Sequence, residues 1–283
     1  MNEKTVIQYL HERKAGVSSY LKPVPDTPIY LAPDKPFAGR FERVDGNPNE
    51  CPTPGEHDRE DFIWIECQPT TASRNISQRT KRSFRIRSYD HEDNRELVAE
   101  SNIEEGFRLI KRAESRHNRI WDQPPARHYK LRDGSEHAHT FDYLIDEWNG
   151  STSAYAIRPE ADVDEQLRTA IRCIREQSLH GFADNAFIVT ERFVTKAKIR
   201  NAIEILDARE SRNEADVQIV SGLISRIRGG VMLDHLVQAS RLGPRGRTAL
   251  LCLVDDGILQ FTRKERIGPT TLLRPASGLS KPH

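Results

Sequence analysis

Two strong turn signals and a proline divide the middle of the chain into short segments. Asp133-Gly134 and Asn149-Gly150 are dipeptides typical of tight hairpins, and Pro159 stops the last segment. The apolar stretches between these signals predict a three-strand meander, with strands at residues 126–131, 137–146 and 153–158. A sheet is therefore expected at the centre of any fold for this region.

Helical periodicity flanks the predicted meander. Residues 96–116 contain no proline and carry Leu97, Ile103, Phe107 and Ile110 at mostly helical spacing, which predicts a long helix. A second helix, a short buried strand and a third helix are predicted at residues 162–176, 186–190 and 199–208. The order helix, three strands, helix, strand, helix resembles the core of the α/β restriction-endonuclease-like fold, a mixed sheet flanked by helices.

The last part of the chain has a different pattern. Three helices are predicted at residues 217–227, 232–240 and 245–256. Residues 258–262 and 271–273 could pair as a two-stranded wing after them. Three helices followed by a small hairpin are typical of a winged-helix domain.

The first 60 residues contain eight prolines with many charges between them, which is typical of an extended or partly disordered arm. A strand is predicted just after it, at residues 62–67. We therefore expect four regions: an arm at 1–60, a restriction-endonuclease-like domain at 61–210, a winged helix at 211–276 and a tail at 277–283.

Bulk composition excludes several classes of protein. The 283-residue chain has a formal net charge of +1, so any nucleic-acid surface must come from local basic clusters. No apolar run approaches the ~18 residues of a membrane span, and the N-terminus lacks the apolar region of a signal peptide, so a cytoplasmic protein is expected. The four cysteines are scattered without a CxxC pair, which favours reduced thiols over a zinc ribbon or a disulfide framework.

Two acids in this pattern point to metal chemistry. Metal-dependent cleavage of a phosphodiester needs acidic oxygens that hold Mg²⁺ and orient a water. Glu104 lies on the predicted first helix and Asp142 on the predicted second strand. Asp142 interrupts an apolar run, which is costly for a carboxylate that has no use. Glu100, one turn before Glu104, is the alternative acid.

Several ordered motifs give the chain a resemblance to the nuclease domain of TnsA-type transposase subunits. Residues 101–104 (SNIE) resemble the Ser-x-Leu-Glu segment of that family, residues 139–145 (HTFDYLI) its Asp-bearing strand, and residues 156–159 (AIRP) its Gln-Val-Lys-Pro segment. Residues 187–191 (FIVTE) and 201–206 (NAIEIL) are similar to a later strand and an Asn-initiated helix. The resemblance covers about 115 residues, between 95 and 209.

Membership of this family implies a role in DNA transposition. TnsA subunits are endonucleases with a PD-(D/E)XK fold that cut the 5′ ends of a transposon, while a DDE-type transposase cuts and joins the 3′ ends and an AAA+ ATPase regulates both. The resemblance implies that Glu104 and Asp142 ligate Mg²⁺ and that Arg158 stands in the place of the catalytic lysine. DNA, the DDE transposase and the AAA+ regulator are the implied partners.

The third-strand motif departs from the family pattern. Ala156 replaces the Gln, and Arg158 replaces the Lys. Arginine grips phosphate, often with two hydrogen bonds, but effectively cannot deprotonate. Two interpretations stay open: an active site with an altered arrangement, or a catalytically degenerate subunit that binds DNA or assembles the complex. A transcriptional regulator that works through the winged helix alone is a third hypothesis.

Several other basic residues and histidines are candidates for binding roles. Arg245 and Arg247 begin the predicted recognition helix, and Arg263 and Lys264 lie in the predicted wing, so all four are candidate DNA contacts. The most basic run, residues 74–87, is either a solvated surface or a phosphate contact. Three histidines on the predicted strands are a less favoured transition-metal site: His128, His137 and His139.

Overall fold

The computed structural model describes residues 29–30, 67–73 and 85–276. These residues form two compact units. The unit called here the sheet unit contains residues 29–30, 67–73, 85–108 and 116–194. The unit called the helical unit contains residues 109–115 and 195–276.

Through Val189 the chain forms nine strands and two α-helices in the described residues, with one short 3-10 turn at Glu160–Asp162. In chain order they are β1 (Ile29–Tyr30), β2 (Ile86–Asp90), β3 (Arg95–Ala99), α1 (Asn102–Glu114), β4 (Arg119–Asp122), β5 (Arg127–Lys130), β6 (Glu136–His139), β7 (Tyr143–Asp146), β8 (Thr152–Ile157), α2 (Glu165–Gln177) and β9 (Asn185–Val189).

The main sheet has five strands in the order β1-β9-β8-β7-β4. Strands β4, β7 and β8 form an antiparallel meander, and β9 lies parallel to β8. Parallel neighbours need a crossover connection, and α2 supplies it. Two separate hairpins, β2-β3 and β5-β6, complete the strands of this unit that the structure describes.

Apolar burial explains the position of α2. Asp164 caps its N-terminus by accepting a hydrogen bond from the backbone N–H of Leu167. The helix then buries Ala170, Ile171 and Ile174, which join the core beneath β7, β8 and β9. The predicted second helix and fourth strand are confirmed to within a few residues.

The meander is present, but its first strand is not the predicted one. Residues 119–122 pair with β7, whereas residues 127–130 pair with residues 136–139 in a hairpin beside the main sheet. The turn at Asp133-Gly134 is confirmed inside that hairpin. The prediction followed the strong turn signal, whereas burial decided the pairing: Ile120 and Asp122 are fully buried in β4.

The predicted helix 96–116 was wrong at its start, and the predicted strand 137–146 is broken. Residues 95–99 form β3 because they pair with β2, so the helix begins at Asn102. The long second strand is interrupted at residues 140–142, where Asp142 donates its backbone N–H to the carbonyl of Tyr155. This break places Asp142 at the edge of the sheet.

The helical unit follows the predicted element order. Its elements are α3 (Lys196–Glu210), α4 (Glu214–Ile224), β10 (Val231–Met232), α5 (Leu233–Ser240), α6 (Pro244–Asp255), β11 (Leu259–Phe261) and β12 (Leu272–Pro275). Strands β11 and β12 pair as predicted, and β10 adds a third strand on the other side of β12. Leu233, Leu250 and Leu273 are fully buried at the centre of this unit.

The chain is therefore a mixed α/β protein with six α-helices in its described part. No helix in residues 85–276 is long and apolar enough to cross a membrane. Among the described residues, Cys67, Cys173 and Cys252 are free thiols. The predictions for most of the proline-rich arm, for residues 62–66, for residues 74–84 of the basic run and for the tail fall outside the described residues.

Candidate active site

Asp142 lies in the turn before β7 and its side chain is buried, with 3% exposed. Its Oδ2 atom accepts one hydrogen bond from the backbone N–H of Ile157, at 2.6 Å, and one from Nη1 of Arg158, at 2.9 Å. Burial of an ionised carboxylate is unfavourable unless it is paired and hydrogen-bonded. Both partners come from the end of β8, so this strand holds the carboxylate at the edge of the sheet.

Glu104 lies in the first turn of α1 and is also buried. Its Oε2 accepts a hydrogen bond from the backbone N–H of Glu100 at 2.7 Å, and its Oε1 accepts one from the Ser101 hydroxyl at 2.9 Å. Ser101 in turn accepts a hydrogen bond from the backbone N–H of Glu104. This Ser-x-x-Glu arrangement is a variant of the capping box, and it aims the Glu104 carboxylate back past the helix N-terminus.

The two acids are close enough to interact. The pKa of Glu104 is raised from 4.5 to about 7, first by burial and next by the negative charge of Asp142. The hydrogen bonds from Glu100 and Ser101 oppose this shift. The structure thus brings together two acids that lie 38 residues apart in the sequence. A cation placed between them would favour the ionised form of both.

Arg158 completes the group at the end of β8. Its Nη1 atom lies between two oxygens, 2.9 Å from Asp142 Oδ2 and 2.6 Å from the carbonyl oxygen of Ile157. Its side chain is 35% exposed. Within the described residues, its Nε and Nη2 atoms have no acceptor. These two donors are available to a phosphate, which arginine binds with two parallel hydrogen bonds.

The donor set fits a hard divalent cation. Mg²⁺ is typically held by one or two carboxylates, with water and substrate phosphates as its other ligands. Glu104 and Asp142 supply two carboxylates whose mutual repulsion a cation would relieve. Ala156, where the TnsA-type motif has a Gln, adds no side-chain oxygen. Glu100, the alternative acid, contributes its backbone N–H to Glu104.

The histidine site suggested by the sequence is not supported. Within the residues that the structure describes, no group of three or more His, Cys, Asp or Glu is placed to hold a metal ion. His137 stacks on Tyr129 and contacts the Ser135 hydroxyl, and His139 meets the edge of Phe141. In the β5-β6 register His128 pairs with Ala138, so it points to the face opposite His137 and His139.

Asp122 is a buried acid whose importance the sequence did not predict. It is fully buried at the end of β4 and accepts hydrogen bonds from the backbone N–H groups of Thr71, at 3.2 Å, and Val98, at 2.9 Å. The hydroxyls of Thr70 and Thr71 also donate to it. Asp122 therefore ties residues 70–71 and β3 to the main sheet. An acid that ends an apolar strand was the available signal.

The four candidate DNA contacts of the helical unit fall into two pairs. Arg245 donates Nε and Nη2 to the buried Asp216, and Arg247 forms an ion pair with Glu204. Arg263 and Lys264 lie exposed in the loop between β11 and β12. The first pair is thus engaged within the protein at the start of α6.

No protein-family model matches this chain, and no curated protein sequence matches it. The proposals below therefore rest on the geometry of the described residues and on the motif resemblance.

Proposed function

We propose that this protein is a TnsA-like subunit of a heteromeric transposase, and that it cuts the 5′ ends of a transposon in a Mg²⁺-dependent reaction. The observation that carries the proposal is the convergence of Glu104, Asp142 and Arg158 at one edge of the main sheet. These are the three residues that the motif resemblance selects, and they come from three separate elements.

The topology of the sheet unit supports a restriction-endonuclease-like fold. Helix α1 precedes an antiparallel meander of β4, β7 and β8, and α2 then crosses over to β9, parallel to β8. This is the element order that the fold requires, with the β5-β6 hairpin inserted after the first strand of the meander. In the helical unit, α4, α5 and α6 followed by β11 and β12 support a winged helix.

Each site residue has a distinct task in this proposal. Glu104 and Asp142 would hold Mg²⁺, which when bound supplies an activated water and neutralises charge on the phosphate. The Nε and Nη2 atoms of Arg158 bind the non-bridging oxygens of the scissile phosphate and orient it. Arg158 keeps its proton throughout, so proton transfer falls to solvent. A cytoplasmic location and partnership with a DDE-type transposase and an AAA+ regulator are part of the proposal.

The test is a cleavage assay. The purified chain, together with its DDE-type partner, is incubated with transposon-end DNA and Mg²⁺, and 5′ nicks are counted. We expect Glu104→Gln and Asp142→Asn to lose nicking by at least about 100-fold, in line with the loss of a group that stabilises charge in the transition state. Glu114→Gln, at the other end of the same helix, is the matched control and should cut normally. Equal residual nicking in all three variants would refute the enzymatic proposal.

A catalytically degenerate subunit is the second candidate, and the position of Arg158 favours it. Its Nη1 atom donates hydrogen bonds to two oxygens that could otherwise bind a metal ion, one of the Asp142 carboxylate and one of the Ile157 carbonyl. In that case the ion pair is a permanent part of the fold, and the protein serves to bind DNA or assemble the complex. Arg158→Lys separates the two candidates: increased nicking supports the enzyme, and absence of nicking in both forms supports the degenerate subunit.

A further inference from the structure

Ten arginines of the helical unit fall into two groups by their partners. Four arginines are committed to carboxylates within the unit, namely Arg209, Arg212, Arg245 and Arg247. Another set is exposed and meets no carboxylate in the described part of the chain: Arg200, Arg226, Arg228, Arg263, Arg266 and Arg274. The second set is the one whose charge is available to a partner.

Asn201 joins α3 to the β11-β12 loop, which carries two arginines of the second set. Its Nδ2 atom donates to the carbonyl of Glu265 at 2.8 Å, and its Oδ1 atom accepts from the backbone N–H of Ile267 at 2.9 Å. Both polar atoms of the Asn201 side chain therefore form hydrogen bonds with the backbone of the β11-β12 loop. The clamp holds this loop, with Arg263 and Arg266, against α3, where Arg200 directly precedes Asn201.

The loop is also fixed at its other end. Ile267 is buried in the core of the unit, and the hydroxyl of Thr271 accepts a hydrogen bond from the backbone N–H of Gly268 at 2.9 Å. The backbone N–H of Thr271 returns a hydrogen bond to the carbonyl of Gly268. The cations of the loop therefore project from a backbone that is ordered before any partner binds, which lowers the entropic cost of binding.

We propose that Arg200, Arg263 and Arg266, called here the α3–loop surface, bind the phosphate backbone of duplex DNA, and that Asn201 is their positioning residue. This inference rests on the proposed role of the chain in DNA transposition. It places the DNA contact of this unit at the α3–loop surface, whose cations meet no carboxylate within the described chain, whereas Arg245 and Arg247 at the start of α6 hold Asp216 and Glu204.

Phosphate contacts of this kind leave a measurable signature. Each phosphate that a cation neutralises contributes about −0.9 to the slope of log K against log salt concentration for duplex DNA. One acid, Glu265, lies within the loop and opposes the three cations. Removal of a positive charge from the surface should therefore weaken DNA binding, and removal of the negative charge of Glu265 should strengthen it.

The experiment measures binding of the full-length chain to a labelled duplex of mixed sequence by fluorescence anisotropy over a range of salt concentrations. The variant Arg200→Gln/Arg263→Gln/Arg266→Gln should bind at least about tenfold more weakly, with a salt slope reduced in magnitude by roughly 2 to 3. The matched control removes the same charge from outside the surface, as Arg226→Gln/Arg228→Gln/Arg274→Gln, and should keep most of the affinity.

Two further variants test the sign and the clamp. Glu265→Gln should bind about two- to threefold more tightly, because it removes a negative charge near the phosphates. Asn201→Ala keeps every charge and should weaken binding several-fold with little change in salt slope. Asn201→Ser, which is also neutral and is too short to reach both backbone groups, serves if the alanine variant does not fold. Equal losses in the two triple variants, or no loss in the surface variant, would overturn the proposal.

The outcomes also separate this inference from the proposed function. Normal DNA affinity in the surface variant, together with 5′ nicking by the wild-type complex, would refute the proposed role of the α3–loop surface. It would leave the proposed nuclease function standing. Loss of DNA affinity in the surface variant, with no nicking by the wild type, would support the proposed role of the α3–loop surface and refute the nuclease function. An acidic protein as the true partner of the surface predicts unchanged DNA affinity in every variant and would overturn the inference.

Discussion

Two buried aspartates lie at the ends of neighbouring strands of the main sheet, and their surroundings differ. Asp122 ends β4, and Asp142 precedes β7, where the partner of Asp122 in the strand register is Tyr143. Asp122 is fully buried and accepts hydrogen bonds from threonine hydroxyls and backbone N–H groups, all of them neutral. Asp142 accepts one backbone N–H and one guanidinium, and that guanidinium belongs to a partly exposed side chain.

The difference separates an acid that ties the fold together from one that is a candidate for the site. The donors of Asp122 are two backbone N–H groups and two threonine hydroxyls, and none of them carries a charge. The charged partner of Asp142 reaches solvent. Asp142 could therefore exchange Arg158 for a metal ion, while Arg158 turns to a phosphate or to water. Burial alone would have ranked Asp122 as the stronger candidate for a site. The identity and exposure of the donors reverse that ranking.

The largest expected effect is on stability. Asp122→Ala should lower the free energy of unfolding by about 4 kcal/mol, because it leaves several buried donors without an acceptor. Asp142→Ala should cost about 2 kcal/mol, because Arg158 can turn to water. Urea denaturation followed through the fluorescence of Trp121, next to Asp122, measures both. If Asp122→Ala does not fold, Thr71→Val, which removes one donor, should cost about 1 kcal/mol. Equal costs for the two alanine variants would contradict the distinction.

The second prediction concerns pH. The pKa of Glu104 is raised from 4.5 to about 7 in the folded protein, so folding takes up a proton between these values. The contribution of this group to stability is fully present below about pH 4.5 and is lost as the pH rises through 7, by at most about 3 kcal/mol. Glu104→Gln should remove this part of the pH dependence, whereas Glu114→Gln should retain it. Urea midpoints at pH 5 and pH 8 make the comparison; parallel curves for wild type and Glu104→Gln would contradict it.

The third prediction concerns exchange at Asp142. Because Nη1 of Arg158 lies on the Asp142 carboxylate and the Ile157 carbonyl, Arg158→Gln should raise the affinity of the free protein for Mn²⁺ by about tenfold, or about 1.4 kcal/mol. Isothermal titration calorimetry without DNA measures this. Arg192→Gln, a nearby exposed arginine that pairs with Glu160, is the control and should leave the affinity unchanged. No difference between the two variants would mean that Arg158 does not compete with metal.

The smallest expected effect tests how Glu104 is held. Ser101→Ala removes the hydroxyl that caps α1 and contacts the Glu104 carboxylate. It should lower the free energy of unfolding by about 1 kcal/mol. Ser101→Thr retains the hydroxyl and should stay within a few tenths of a kcal/mol of wild type. Thermal unfolding compares them. A cost in the threonine variant as large as that in the alanine variant would show that the capping hydroxyl is not the cause.

Much of the fold was predictable because it depends on local chemistry. The hairpin turn at Asp133-Gly134 and the helices α2 to α6 follow from turn residues and apolar periodicity. Strands β3 and β4 were not predictable in this way. Leu97 fits a helical pattern as well as a strand, and only pairing with β2 selects the strand. The four residues of β4 are too few to show a clear alternation, and their burial depends on β7.

Residue type and order in the sequence are enough to single out Glu104, Asp142 and Arg158 as candidates for the site. The partners of their side chains depend on the tertiary structure. In the folded chain, Arg158 pairs with Asp142. Arg245 and Arg247 pair with Asp216 and Glu204, which lie 29 and 43 residues away in the sequence. Long charged side chains choose their partners across elements that are distant in the sequence. Whether such a charge is available to DNA is therefore settled by the acids that folding brings beside it.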